Sequence, residues 1–212
     1  MKEHRKVIID NSMAFFAEPL MFNDVYNIYS PRKFFAVPDG GYVIGNITDE
    51  IPLERDQSYK RARTLLESLE LGEEAAYKEQ IANEQALFPV RKRMSGLTEK
   101  MLSSIDYEIE KKARRTNFDI LDKHIGSLNR YSIKSEEAVP QFYPLLVNVD
   151  IRNILISHNI YSPMMWRRLI SEQFIGTAER LFSERMLYLP IDQRYSPQDM
   201  EYIADTITSL LT

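Results

Sequence analysis

The sequence contains no cysteine and no long apolar run, and both absences narrow the classes of protein that fit it. Without cysteine, its 212 residues form no disulfide, no thiolate metal site and no cysteine nucleophile. This composition fits a reducing compartment, so we expect a cytoplasmic protein. No apolar run approaches the roughly 18 residues of a transmembrane helix. The apolar stretch that follows the charged first residues is also too short for a signal peptide.

The charge and the histidine content argue against nucleic-acid binding, membrane-surface binding and metal binding. The 27 basic and 31 acidic residues give a net charge of −4, which does not suit a general binder of nucleic acid or of membrane surfaces. The three histidines, His4, His124 and His158, are far apart in the sequence and lack the His-Glu-x-x-His spacing. We therefore expect no metal site, no nucleic-acid partner and no membrane partner.

The order of the predicted elements indicates a mixed α/β fold. Strands are predicted at 7–10, 25–29 and 42–44, the first of them as a buried parallel strand. Helices follow at 59–71, between Ser58 and Gly72, at 73–87, and as one long helix from residue 95 or 98 to 126. Beyond residue 130 the prediction alternates, with strands at 143–149 and 186–189 and helices at 151–157, 166–170, 176–184 and 197–211. Trp166 is predicted to pack in the core.

Two short segments contain residue types suited to a pyridoxal-phosphate (PLP) site. The first strand ends in Asp10, and the second leads into Ser30-x-x-Lys33 ahead of Gly40-Gly41. PLP needs a lysine amine for covalent attachment and proton transfer, and a carboxylate beside its pyridine nitrogen, because the protonated ring is the stronger electron sink. A nearby serine hydroxyl can donate to the phosphate. Taken singly, these residues also fit a solvated lysine, a strand-capping aspartate and a glycine turn.

In this order, residues 9–16, 30–35 and 37–41 resemble the DegT-type sugar aminotransferases, a branch of the fold-type-I PLP-dependent aminotransferases. Four later motifs extend the resemblance over nearly the whole chain: Arg115-x-Asn117-Phe118, Tyr143-Pro144-Leu145, Ile160-Tyr161-x-Pro163-x-x-Trp166 and Leu189-Pro190-Ile191-Asp192. By resemblance, Asp10 would face the pyridine nitrogen, Lys33 would hold the cofactor and Ser30 would meet its phosphate. The resemblance implies a partial PLP-transferase fold: a remnant of the large-domain sheet in 1–57, a helical hairpin in 58–127 and a small α/β domain in 128–212.

The chain departs from the family pattern at two places. Members commonly have Gln or His three residues after the aspartate, where this chain has Met13. Complete members also have a long amino-terminal stretch before the aspartate strand, which supplies most of the large sheet and the phosphate cup. Here that strand begins just ahead of Asp10. We therefore expect the carboxy-terminal, truncated part of the fold, with a site open on one side.

Two functions follow from this interpretation. The first is PLP-dependent transamination of a keto-sugar-type substrate, with glutamate as donor, once an amino-terminal half complements a chain that is inactive alone. The second is a non-catalytic, truncated scaffold that self-associates or binds a partner; a fragment cut from a longer enzyme is a third possibility. In either case we expect a homodimer or larger assembly, because a remnant sheet exposes its edges and an apolar face.

Overall fold

The computed structural model describes residues 6–47, 52–86, 91–132, 138–171 and 176–212. The chain forms two compact units, Met1–Asp106 and Tyr107–Thr212. The sequence suggested two borders, near residues 57 and 127, and that three-part division stays a prediction. Within the described residues, no helix is both long enough and apolar enough to cross a membrane.

A three-stranded sheet begins the first unit. Its strands are β1 (Val7–Asp10), β2 (Val25–Tyr29) and β3 (Tyr42–Gly45), in the spatial order β1-β2-β3. β1 is parallel to β2, and β3 is antiparallel to it. The three strands lie where the sequence predicted them. β1 was expected to be buried, however, and Ile8 is 70% exposed, because β1 is an edge strand of the described sheet.

Three helices complete the first unit. α1 (Tyr59–Leu71) ends at Gly72, whose φ of +88° suits the turn into α2 (Glu73–Ala86). These two helices pack against each other as a helical hairpin, which spans only part of the hairpin expected for 58–127. α3 (Gly96–Ser103) begins at Ser95, whose side chain accepts a hydrogen bond from the Thr98 backbone N–H.

The single long helix predicted from residue 95 or 98 to 126 is wrong, because the chain breaks it in two. α3 ends at Ser103 and α4 (Tyr107–Ile125) starts anew in the second unit. At the break, both the backbone N–H and the hydroxyl of Ser104 donate to the Met101 carbonyl, at 3.2 and 2.7 Å. Serine side chains compete in this way for helical carbonyls, and the apolar periodicity alone does not reveal the interruption.

The second unit packs helices against a two-stranded antiparallel sheet. Its strands are β4 (Phe142–Leu146) and β5 (Met186–Pro190). Its later helices are α5 (Arg152–Ser157), α6 (Thr177–Arg185) and α7 (Pro197–Leu211), and a short 3-10 helix spans Arg167–Ser171. α7 packs along α4 and begins with a capping box formed by Ser196 and Asp199. The strand predicted at 143–149 is thus shorter than expected.

The core of the second unit follows from the alternation of its strands. Tyr143 and Leu145 of β4 are fully buried, as are Leu187 and Leu189 of β5. They pack with buried residues of the helices, including Leu121, Ile125, Leu155, Met200 and Ile207. The prediction that Trp166 belongs to this core is wrong. It is 59% exposed, has a φ of +50°, and meets the Tyr188 ring edge-on, with centroids 6.5 Å apart.

Asn117 joins two motifs that lie about 75 residues apart in the sequence. It is buried on α4, and its side-chain amide lies 3.2 Å from the Ile191 carbonyl, 3.3 Å from that of Asp192 and 3.1 Å from that of Tyr195. These carbonyls belong to the loop between β5 and α7, outside the β-strand pairing. Asn117 therefore supplies hydrogen-bond donors to backbone carbonyls that the sheet does not satisfy. The Asn117-Phe118 motif and the 189–192 motif therefore form one structural feature.

Replacing Asn117 with Ala should destabilise the protein by about 1–3 kcal/mol, because the buried Ile191 carbonyl and the partly buried carbonyls of Asp192 and Tyr195 would lose a shared donor. Urea unfolding followed by circular dichroism measures the change. The matched control is Lys112→Ala, an exposed position on the same helix, for which a change within about 0.5 kcal/mol is expected. Equal stability of the two variants would contradict a bridging role for Asn117.

Candidate functional site

The carboxyl ends of β1 and β2 bring the predicted site residues to one edge of the sheet. Asp10 ends β1 and lies in register with Ile28 of β2, two residues before Ser30. The Asn11 N–H donates to the Ile28 carbonyl at 2.8 Å, so the pairing continues to this edge. Parallel strands end on the same side of a sheet. The topology therefore places Asp10 beside the segment that carries Ser30 and Lys33.

Asp10 is an exposed carboxylate with one local partner. Its Oδ1 accepts a hydrogen bond from the Ser12 backbone N–H at 2.9 Å. Hydrogen bonds from the Ser12 side chain and backbone hold the pKa of Asp10 below its ordinary value. Asp10 is therefore an anion at neutral pH and suits a cationic partner at this edge.

Ser30 and Lys33 flank a single 3-10 turn, Pro31–Lys33. Ser30 is at the N-cap, with an extended backbone and no capping hydrogen bond from its side chain. Lys33 is exposed, whereas Pro31 before it and Phe34 and Phe35 after it are buried. Pro31 suits the start of the turn because its φ is already fixed near the helical value. The turn is thus anchored on both sides of an exposed lysine.

An aromatic cluster under this turn supplies part of that anchor. Phe15 lies at its centre, with ring centroids 5.3 Å from Phe16 and Phe35 and 5.8 Å from Phe34. Several of these contacts are edge-to-face, a favoured arrangement for aromatic pairs. The cluster joins the loop after Asp10 to the turn that carries Lys33, so the two halves of the candidate site share one small core.

Asn27 fixes the loop that connects β1 to β2. It is fully buried in β2, and its side chain both accepts from the Leu20 N–H, at 3.1 Å, and donates to the Leu20 carbonyl, at 3.0 Å. Its amide also donates to the Ile44 carbonyl of β3 at 3.3 Å. Sequence reasoning missed this residue, because nothing in a strand-like pattern distinguishes a buried asparagine from an exposed one.

Arg32 ties the lysine-bearing turn to α2. Its Nη2 lies 2.6 Å from Oε1 of Glu84, 52 positions later in the sequence. Both side chains are partly exposed, so the pair contributes little stability by itself. Its effect is on orientation: it holds one side of the turn against the helical hairpin.

Asp39 is the second residue of functional interest that sequence reasoning missed. Its buried carboxylate accepts from the Ser95 N–H at 2.9 Å and from the Thr98 hydroxyl at 3.0 Å. The guanidinium of Arg61 lies 3.7 Å away. Ser58, just before α1, shares a 2.6 Å hydrogen bond with the Ser95 hydroxyl. The loop before β3 is thereby joined to the first turn of α3 and the start of α1.

The electrostatics of Asp39 favour the charged form. Burial by itself raises its pKa, but the hydrogen bonds from Ser95, Ser58 and Thr98 outweigh burial and lower the pKa below its ordinary value. A carboxylate at a helix N-terminus is also stabilised by the helix dipole. The Asp-Gly-Gly segment, which sequence reasoning interpreted as a turn, is therefore an anchored loop.

Gly40 is required in that loop. Its φ is +105°, and a Cβ at this position would lie 2.8 Å from Cε of Met94 and 3.2 Å from Cγ2 of Thr98. Any other residue would meet both backbone strain and a close contact.

The remaining candidate positions show one mismatch with the family pattern. Met13 is half-buried two residues before Phe15, at a position where the resembled family commonly has a polar residue. Among the described residues there is no group of three His, Cys, Asp or Glu side chains that could hold a metal ion. His4 lies outside the described residues.

Two solved structures share this fold. The chain matches the crystal structure of a DegT DnrJ EryC1 StrS aminotransferase from Brucella abortus with a TM-score of 0.59 and 14% identity, over 97% of this chain and 57% of that one. It also matches a protein described as a sugar aminotransferase, from Streptococcus pneumoniae in its PMP form. That match has a TM-score of 0.52 and 17% identity, over 85% of this chain and 50% of that one.

The chain thus spans about half the length of the aminotransferase structures that it matches. No protein-family model and no curated protein match the sequence. At these identities the similarity shows the fold alone. The chain has a mixed α/β fold shared with sugar aminotransferases over part of their length, which confirms the coarse prediction from the sequence.

Replacing Asp39 with Asn should destabilise the protein by about 1.5–3 kcal/mol at pH 7, because the surrounding N–H and hydroxyl groups donate hydrogen bonds to a charged carboxylate. The folded-state pKa of Asp39 is lowered. Its stabilising effect is therefore complete above the unfolded-state pKa, about 3.9, and is lost as pH falls through the folded-state pKa. The difference between variant and parent should narrow below about pH 4.

Urea unfolding at a series of pH values measures that difference. Glu201→Gln, at an exposed position on α7, is the control and should change stability little at any pH. A gap between Asp39→Asn and parent that is the same at pH 7 and at pH 3 would refute the ionised network.

Proposed function

We propose that this chain is the carboxy-terminal part of a PLP-dependent aminotransferase-like protein. The observation that carries the proposal is the common position of Asp10, Ser30 and Lys33, at the carboxyl ends of two adjacent parallel strands. The fold shared with aminotransferases, one of them in its PMP form, supports a cofactor of this type.

The residues of this edge fit PLP in chemical kind. Asp10 has a lowered pKa and stays anionic, as a partner of a protonated pyridine nitrogen must. The Ser30 hydroxyl makes no capping hydrogen bond and suits a phosphate oxygen. Lys33 is exposed and carries the one primary amine of the turn Pro31–Lys33. When bound, PLP supplies an aldehyde carbon for covalent attachment and a ring that withdraws electrons.

Each residue then has a defined task. Asp10 keeps the ring nitrogen protonated by offering a fixed negative charge, and Ser30 orients the phosphate. Lys33 would hold the cofactor through Nζ and, once that amine is released, would move a proton at the substrate carbon. The buried residues Phe34 and Phe35 keep the lysine stem in place by anchoring the turn that carries it.

The substrate that we propose is a keto-sugar, with glutamate as amino donor. Support comes from the sequence resemblance and from the shared fold with a protein described as a sugar aminotransferase.

The proposed site needs further residues to enclose it. Asp10 is fully exposed at the end of an edge strand, and a charge-dependent site works best where water is excluded. We propose that an additional amino-terminal segment, on the same or another polypeptide, completes the sheet beside β1. The exposed side chains of Ile8 and Val43 support this proposal, because the strand register places both on one face of the sheet, where they form an apolar surface that such a segment would cover.

A non-catalytic scaffold is the second candidate function. The observation that favours it is Met13, because its thioether cannot make the hydrogen bonds of the Gln or His that the resembled family commonly has at this position, near the phenolic oxygen of the cofactor. In this alternative the chain retains the aminotransferase fold and binds a partner through the same exposed sheet.

Lys33→Ala should abolish covalent attachment of PLP, because the amine that forms the bond is removed. In the parent, PLP should give near-visible absorbance, and borohydride followed by peptide mass spectrometry should locate the cofactor on Lys33. The control is Lys78→Ala, an exposed lysine on α2, which should behave as the parent does. Attachment spread over several lysines, or none at all, would leave the scaffold as the better account.

Asp10→Ala separates the role of the ring nitrogen from attachment. It should weaken PLP binding while the modification stays on Lys33, because Asp10 interacts with the ring and forms no bond to the cofactor. Absorbance titration measures the affinity, and borohydride mapping measures the position. Affinity equal to that of the parent would remove Asp10 from the site.

A further inference from the structure

Helix α1 has its apolar residues on the outside and polar residues on the inside. Leu66 is 64% exposed, Leu69 is 83% exposed and Tyr59 is 65% exposed. At 3.6 residues per turn, these three lie within about 40° of the face opposite Thr64. Thr64 is only 5% exposed. This arrangement is the reverse of the usual amphipathic helix, in which the apolar stripe faces the protein.

The inward face of α1 is fully occupied by polar contacts. The Thr64 hydroxyl donates to the Arg61 carbonyl at 2.8 Å, and the Ser68 hydroxyl donates to the Thr64 carbonyl at 2.7 Å. The Arg61 side chain pairs with Asp56 and lies 3.7 Å from Asp39. The two hydroxyl bonds lie within α1, but rotating the helix to bury the leucines would separate Arg61 from Asp39 and Asp56. The stripe of Tyr59, Leu66 and Leu69 therefore stays an outer surface.

The charges of α1 identify what fits this surface. The basic residues Lys60, Arg61 and Arg63 lie in its first half, and the acidic residues Glu67 and Glu70 lie in its second half. A second copy of the same helix, antiparallel to the first, would place basic half over acidic half. It would also oppose the two helix dipoles favourably. A parallel copy would align like charges.

We infer that the stripe of α1 is a self-association surface, where the α1 helices of two copies of this chain pack antiparallel. A two-fold axis between Leu66 and Leu69 brings Leu66 of each copy against Leu69 of the other. Arg63 and Glu70 flank the stripe on one side, seven residues apart. The same axis therefore brings Arg63 of each copy to Glu70 of the other, giving two reciprocal ion pairs.

Arg63 already has partners within its own chain, and these are compatible with the contact. It lies 3.3 Å from Glu67 and 2.5 Å from Glu79 on α2, while its side chain stays 63% exposed. A guanidinium has five N–H donors and can take part in a network of carboxylates. This inference does not depend on the proposed cofactor chemistry, since it uses no residue of the candidate site.

The first experiment measures the mass of the 212-residue chain by sedimentation equilibrium over a range of concentrations. A single helix pair is smaller than a standard interface, so the mass should rise gradually from that of the 24.9 kDa monomer towards a dimer. Leu66→Lys with Leu69→Lys should abolish the rise. Ile109→Lys, at an exposed apolar position on α4, is the matched control and should not change it.

The second experiment tests the antiparallel arrangement. Arg63→Glu alone and Glu70→Arg alone should each weaken self-association about tenfold, because each creates two like-charged contacts. An equimolar mixture of the two variants should recover parental affinity, since every contact between unlike copies is again a pair of opposite charges. Circular dichroism establishes that both variants keep their helices.

The absence of cysteine permits a direct check of register. A mixture of Leu66→Cys and Leu69→Cys should form disulfides between the two variants faster than either variant forms them alone.

A parental chain that stays monomeric at every concentration would overturn the inference. Three other outcomes would also overturn it: association insensitive to Leu66→Lys with Leu69→Lys, association removed only by Val43→Lys on the sheet, or charge variants that fail to recover when mixed.

Discussion

The buried carboxylate of Asp39 lies where three segments of the first unit meet, and the geometry of the candidate site depends on this junction. Its oxygens accept from the Ser95 N–H and the Thr98 hydroxyl at the start of α3. Arg61 of α1 completes the surroundings. A buried charge is tolerated only where donors replace the water that it has lost. The loop from Lys33 to β3 therefore has little freedom, because Gly40, directly after Asp39, also packs against Met94 and Thr98.

Two kinds of constraint thus hold the lysine-bearing turn. On the inner side, Phe15, Phe34 and Phe35 form an aromatic core whose packing resists changes in volume. On the outer side, the ion pair of Arg32 with Glu84 holds the turn itself, and the Asp39 network fixes the segment after it. Lys33 is left exposed at a well-supported position, which suits a residue that must form a covalent bond at one defined place.

The exposed surfaces of the first unit differ in chemistry and suit different occupants. The sheet face that carries Ile8 of β1 and Val43 of β3 also carries Asp10, and the edge strand β1 suits further strands of the same fold. The stripe on α1 lies on a helix with separated charges and suits an antiparallel copy of itself. Covering the first surface would enclose the site, whereas covering the second would join two chains without altering the site.

The sequence by itself determined the local elements and the residue types of the site. Strand periodicity, Gly72 as a helix stop and the spacing of Asp10, Ser30 and Lys33 are short-range features, so they can be recognised without a structure. Only the tertiary structure decided which polar residues are buried. Asn27, Asp39 and Asn117 satisfy backbone or side-chain groups many positions away, and no local pattern indicates such partners. The same reason explains the exposure of Trp166 and the outward leucines of α1. In each case the groups packed nearby decide whether a side chain is buried or exposed, and those groups come together only when the chain folds.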